Sequence, residues 1–188
     1  MEDAAEMQFR LKKTVAMVGM MGAGKTAIGT ALARHLGVEF LDSDTEIERA
    51  ANATIAEIFE RDGEGFFRDR ESQVIQRLLD GTPGILSTGG GAFLREENRQ
   101  AIHDMGVSVW LRADLDLLWQ RVRHKTTRPL LMTDNPRQTL AEIQSQRDPV
   151  YALADLAVDA QPQYSIEEMT ERVVDALLTR PDVLEKST

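Results

Sequence analysis

Cysteine is missing from all 188 positions of the chain. Disulfides and thiolate metal sites are thereby excluded, and the composition suits a reducing cytoplasm, the expected location. An excess of positive charge is missing too: 22 Lys and Arg stand against 31 Asp and Glu, a formal net charge of −9. A nucleic-acid or anionic-membrane partner would need a basic face, so neither is expected. No stretch reads as a membrane span, because the apolar run over 14–33 is interrupted by Lys25 and several glycines. The opening MEDAAEMQFRLKK starts on acidic residues and lacks the apolar core of a secretory signal. The three histidines, His35, His103 and His124, are scattered without metal-ligand spacing. Internal repeats and low-complexity tracts are absent.

What is present is a composition 42% apolar, enough for one domain with a substantial core. Residues 13–18, KTVAMV, read as a buried strand. They run into Gly19–Gly24 and an amphipathic helix over 25–36, with Gly37 at the helix end. VEFL (38–41) reads as a second strand ending at Asp42. Helical patterns follow at 44–51, 55–61 and 64–80, with Asn52 suited to a left-handed helix end. Further strands are expected at 84–88, 107–112 and 155–159, and further helices at 95–104, 114–123, 137–152 and 165–179. Trp110 and Trp119 are assigned to packing. Segment 124–136, with two prolines, reads as a loop or lid. Alternating strands and helices imply a parallel sheet covered on both faces.

The chemistry starts at G-x-x-x-x-G-K-T, Gly19 through Thr26. A strand, this loop and a helix form the context in which such a loop cradles nucleotide phosphates. Backbone N–H groups over 21–26, including Gly22, Ala23, Gly24 and Ala27 just beyond, would face ATP at a helix N-terminus. Lys25 would bridge the β- and γ-phosphates, and Thr26 would ligate Mg²⁺. P-loop proteins place an acid at a strand end to hold that metal, and Asp42 and Asp159 both end strands. Asp44 lies two residues beyond Asp42, so one carboxylate can serve the metal and the other the acceptor. The alternative is a solvated turn and a helix N-cap. Gly89-Gly90-Gly91 ends a buried strand where ligands bind in open α/β sheets, and permits close backbone approach. Arg68, Arg121, Arg128 and Arg147 are candidate anion ligands within an acidic protein.

Taken together, GMMGAGKT, FLDSD..IE, I.EIF...GE..FR..E, STGGG, RPLL and R.P.Y occur in this order at compact spacing. The chain resembles shikimate kinase over about 14–178. The resemblance implies a three-layer α/β/α P-loop NTPase fold: a five-stranded parallel sheet in the order 2-3-1-4-5, with a lid and a substrate-binding helical region. It implies ATP-dependent phosphorylation of the 3-hydroxyl of shikimate, in the pathway to chorismate and the aromatic amino acids, with Mg²⁺ as cofactor. In that reading Asp44 binds the ring hydroxyls, Arg68 and Arg147 grip the carboxylate, and Gly89, Gly90 and Gly91 line the pocket. Glu71 orients Arg68, Arg128 reaches the transferring phosphate from the lid, and Arg121 stacks on adenine. Thr26 and Asp42 form the metal side. The expected organisation is an N-terminal tail over 1–12, one kinase domain over 13–180 and a C-terminal tail over 181–188. Within the domain the substrate region covers about 42–72 and the lid about 124–136. A monomer is expected. The rival readings are another small-metabolite kinase, such as gluconate kinase, and a nucleotide-binding regulator without catalysis.

Overall fold

A computed structural model of the chain describes residues 8–124 and 131–187. Its centre is β2 (Thr14–Val18), five residues that are all buried because strands on both sides and helices on both faces cover it. Around it lie β3 (Phe40–Asp42), β4 (Ile85–Ser87), β5 (Gly106–Arg112) and β6 (Leu156–Asp159), in the order β3-β4-β2-β5-β6, all parallel. Counted over these five strands alone, this is the expected order 2-3-1-4-5. The order reverses direction at β2, and ligands of such sheets bind beyond the carboxyl ends of the strands at that point. The register puts Met17 and Asp42 opposite Ser87, so the chain leaves β2, β3 and β4 at one common edge.

α1 (Lys25–Leu36) buries Ile28, Gly29, Leu32, Ala33 and Leu36, the i, i+4, i+8 stripe of a core-facing helix. Gly37 ends it at φ 67°, and the closing turn consumes the Val38 N–H, which donates to Ala33 O. The next strand therefore starts at Phe40, two residues later than the pattern of VEFL suggests. α2 (Ser43–Ala51) ends at Asn52 in the left-handed region, φ 49°. α3 (Ile55–Asp80) is broken at Gly63, φ 84° and ψ 170°, between the two helical patterns read in the sequence. The break lets both halves contribute to a small second core of Ile47, Ile58, Phe67 and Val74, under α2 and α3 and apart from the main core. After β4 come a short 3₁₀ turn (Ala92–Leu94), α4 (Glu96–Met105), β5 and α5 (Leu115–Val122). α6 (Pro136–Tyr151), β6 and α7 (Ile166–Leu178) complete the fold.

The chain ends depart from the expected tails. β1 (Gln8–Leu11) pairs antiparallel with β7 (Leu184–Ser187) in a separate ribbon. Val183 and Leu184 are buried in the main core, and Lys12 and Lys13 pair with Glu185 and Asp182. Single apolar anchors flanked by charge carry no local strand signature, because the strand forms only through a partner more than 170 residues away.

Candidate active site

The phosphate loop is shaped by three glycines with positive φ: Gly19 (144°), Gly22 (84°) and Gly24 (98°). At Gly22 a Cβ would sit 2.8 Å from Val122 Cγ1, so no side chain fits there even apart from the backbone strain. Gly24 caps α1 without a side-chain hydrogen bond, as Arg95 does α4, whereas α2, α3, α5, α6 and α7 each carry a side-chain cap. The first N–H groups of α1 are thus left to a ligand, at the end where the helix dipole favours an anion. Lys25 does not project into solvent. Its Nζ donates to Gly19 O at 2.7 Å and Met20 O at 3.1 Å, so it holds the loop closed from within. Arg121, at the end of α5, donates from Nη1 to Gly22 O at 3.0 Å, and burial lowers its pKa.

The facing wall comes from the ends of β3 and β4 and from α3 and α6. Asp42, rather than Asp44, is the N-cap of α2: its Oδ1 accepts from Thr45 N at 3.0 Å. Asp44 is thereby freed from capping and turns to the cleft. The three consecutive glycines each face a different charged side chain. A Cβ on Gly89 would lie 2.8 Å from Asp44 Oδ1, one on Gly90 2.9 Å from Arg147 Nη1, and one on Gly91 2.5 Å from Arg68 Nη2. Three glycines are present because three side chains each need one. Ser43, fully buried, accepts from Gly89 N at 3.2 Å and so joins the Asp42–Asp44 turn to the glycine loop.

Charge in this wall is finely opposed. Burial raises the Asp44 pKa to about 6, helped by Asp42, Glu71 and Glu48 and opposed by Lys25 across the cleft. Glu71 is 1% exposed; burial raises its pKa, and Arg68, donating to its Oε1 at 2.9 Å, works against the rise. Glu71 Oε2 is buried with no hydrogen-bond partner among the described residues.

One cleft of about 1120 Å³ runs between the two walls. It gathers Gly22, Gly24, Lys25, Thr26, Ala27 and Arg121 from the wall of the phosphate loop, and Asp42, Asp44, Arg68, Gly89, Gly90, Gly91 and Arg147 from the facing wall. Ala23 stands outside it. Its side chain is in the core and its N–H donates to Met20 O at 3.1 Å, so it shapes the loop rather than facing a phosphate. Arg128 and the rest of 125–130, the central part of the expected lid, lie outside the described residues. Asp159, the other acid at a strand end, pairs with Arg112 away from the loop. Ser43 and Tyr151 were not singled out by residue type; Tyr151 donates to Gly90 O at 2.6 Å, and only the R.P.Y spacing hinted at it.

The shikimate kinase family model matches residues 21–178. The chain belongs to the shikimate kinase family. The shikimate kinases of Cereibacter sphaeroides and Ruegeria pomeroyi are 67% and 66% identical to it. These matches cover 98% and 94% of this chain and 92% and 91% of those proteins. Shikimate kinase from Acinetobacter baumannii, solved in complex with shikimate, superposes with a TM-score of 0.81 at 39% identity, covering 89% of this chain and 93% of that one. As a shikimate kinase the chain is an ATP-dependent enzyme that phosphorylates shikimate, and both rival readings give way. No helix among the described residues is long and apolar enough to cross a membrane.

Proposed function

We propose that the two walls of the cleft divide the reaction between them, bringing the γ-phosphate of ATP and the 3-hydroxyl of shikimate together. The observation that carries this is the seating of Asp44, Arg147 and Arg68 on three successive glycines, across one cleft from the phosphate loop. Two guanidiniums and a carboxylate fixed on one backbone suit a small hydroxylated carboxylate. The arginines take its carboxylate in bidentate pairs and the aspartate takes its hydroxyls. Glu71 holds Arg68 by the 2.9 Å hydrogen bond.

On the other wall the uncapped N-terminus of α1 and Lys25 receive the phosphates of ATP, and Arg121 packs on the adenine. Nucleotide binding requires Lys25 to exchange its loop carbonyls for phosphate oxygens. Phosphoryl transfer rests on positioning and charge neutralisation. The bond from the γ-phosphorus to the ADP oxygen breaks as the bond to the 3-oxygen forms, and Asp44 accepts the hydroxyl proton. Arg128 is assigned the transferring phosphate, within a lid over 124–136 that excludes water.

The residues fit Mg²⁺. Thr26 and Asp42 line the cleft together, and no group of three or more acidic or histidine side chains among the described residues could hold a metal. A hydroxyl and one carboxylate are the sparse protein share typical of Mg²⁺, which takes its other ligands from phosphates and water. Bound there, it would supply charge neutralisation at the β- and γ-phosphates. The substrate region over 42–72 and a cytoplasmic monomer complete the proposal; the second core under α2 and α3 supports the former as a unit. The test is ADP release, measured with and without shikimate in the presence of ATP and Mg²⁺. Turnover that requires shikimate is the expected result; ADP release indifferent to shikimate would sink the proposal.

A further inference from the structure

Tyr151 closes α6 one helical turn after Arg147 and is 1% exposed. Its ring is held between Phe93 and Trp110, with centroids 6.4 and 6.2 Å away. A phenylalanine would pack there equally well, so the apolar surroundings do not account for the hydroxyl. That hydroxyl donates to Gly90 O at 2.6 Å. Burial pushes the phenol pKa up, and the Arg147 guanidinium beside the oxygen works against it. Gly90 is also the residue whose missing Cβ admits Arg147 Nη1. A phenol has one proton to give and lone pairs to receive with. Its proton is committed to Gly90 O, so it fixes the backbone of the residue on which the Arg147 guanidinium sits. Ser43 and Asn98 hold the flanks of the glycine loop, at Gly89 N and Ala92 O. Tyr151 holds its middle.

We infer that Tyr151 is a positioning residue for substrate recognition: its hydroxyl holds the Gly90 backbone against which Arg147 Nη1 is seated, so that the guanidinium meets the substrate carboxylate already oriented. The inference rests on the reading that Arg147 binds that carboxylate. A long, rotamer-rich side chain gives up freedom when it binds, and holding it in place beforehand removes that cost from the binding step. The loss of the hydroxyl therefore appears in the affinity for shikimate rather than in ATP binding or in the chemical step.

The test is Tyr151→Phe, made in the wild-type and in the Arg147→Ala background, with shikimate and ATP varied separately. Phe keeps the ring packing, so the fold is retained. In the wild-type background the shikimate KM is expected to rise about tenfold, the cost of leaving one buried hydrogen bond unmade beneath the guanidinium. The ATP KM and kcat should stay within about twofold. In the Arg147→Ala background the same change should add nothing, because there is no guanidinium left to orient. An equal rise in both backgrounds would make Tyr151 a structural residue only and overturn the inference. So would an unchanged shikimate KM in Tyr151→Phe while Arg147→Ala raises it. If Arg147→Ala itself leaves the shikimate KM unchanged, it is the carboxylate reading of Arg147 that fails.

Discussion

Asp44 shows how one residue's surroundings set both chemistry and cost. It shares its wall with Asp42, Glu71 and Glu48, and burial leads in lifting its pKa to about 6. A folded value above the unfolded one means that its contribution to stability is complete below about 3.8 and is lost as pH rises through about 6. At neutral pH the ligand-free enzyme therefore holds an unfavourable carboxylate where the acceptor hydroxyl is proposed to sit. Asp44→Asn is expected to raise the melting temperature at pH 7.5, and the difference from wild type should shrink as pH falls toward 4. The same change should lower kcat about a hundredfold, the lower end of general-base effects, and abolish the acidic limb of the kcat/KM profile near about 6. A variant that melts lower at pH 7.5 with an unaltered acidic limb would show that Asp44 is neither strained nor a base. Gly91 offers a complementary test. A Cβ there would meet Arg68 Nη2 at 2.5 Å, and a guanidinium at the end of a flexible side chain can swing away. Gly91→Ala should thus lower the melting temperature, because the displaced guanidinium leaves buried Glu71 without its partner, and raise the shikimate KM about tenfold or more, with the ATP KM untouched. Calorimetric titration with each ligand separates these outcomes.

Among the elements, α3 depends most on a single backbone position. Gly63 breaks the helix at φ 84° and ψ 170°, a conformation open essentially to glycine alone, while nothing lies within 4 Å of where its Cβ would be. The demand at Gly63 is therefore purely one of backbone. Beyond the break, Phe67 and Val74 enter the second core while Arg68 and Glu71 face the cleft. Gly63→Ala is expected to cost about 1–3 kcal/mol and, because it resets the direction of the second half of α3, to raise the shikimate KM as well. Thermal melting and steady-state kinetics on one preparation check both; lost stability with an unchanged shikimate KM would show that the break does not aim Arg68. The helical patterns on either side of this glycine were visible in the sequence because amphipathic spacing is local. The turn between them was not, since its direction is set by what Ile58 and Phe67 pack against. Lys25 makes the same point within the phosphate loop. Its motif identified it at once, yet its place on the Gly19 and Met20 carbonyls appears only in the folded loop.

Across the whole molecule, the two chain ends form a ribbon at the far end of α1, where Phe9 lies 5.4 Å from the His35 ring. The 12 residues of α1 separate it from the phosphate loop by about 18 Å. Stability and catalysis should accordingly come apart there. Leu184, 1% exposed, is the ribbon's buried anchor. Leu184→Ala is expected to cost about 2–4 kcal/mol and to lower the melting temperature by about 5–10 °C, while both KM values and kcat at 25 °C stay at wild-type levels; altered kinetics would show that the ribbon communicates with the cleft. The sequence by itself determined the alternation of strands and helices, the phosphate loop, the Asp42–Asp44 turn and the glycine loop, because hydrophobic period, turn chemistry and motif spacing are properties of neighbours in the chain. The sheet order was legible only through resemblance to a family, and the roles proposed for Arg68 and Arg147 rest on that resemblance too. Tertiary structure alone decided which aspartate caps α2, which side chain each of the three glycines admits, that Tyr151 reaches Gly90 across 61 positions, and that the chain ends pair. Each of those depends on groups far apart in sequence meeting at distances of a few ångströms, and on the burial that shifts their charge, neither of which a linear pattern carries.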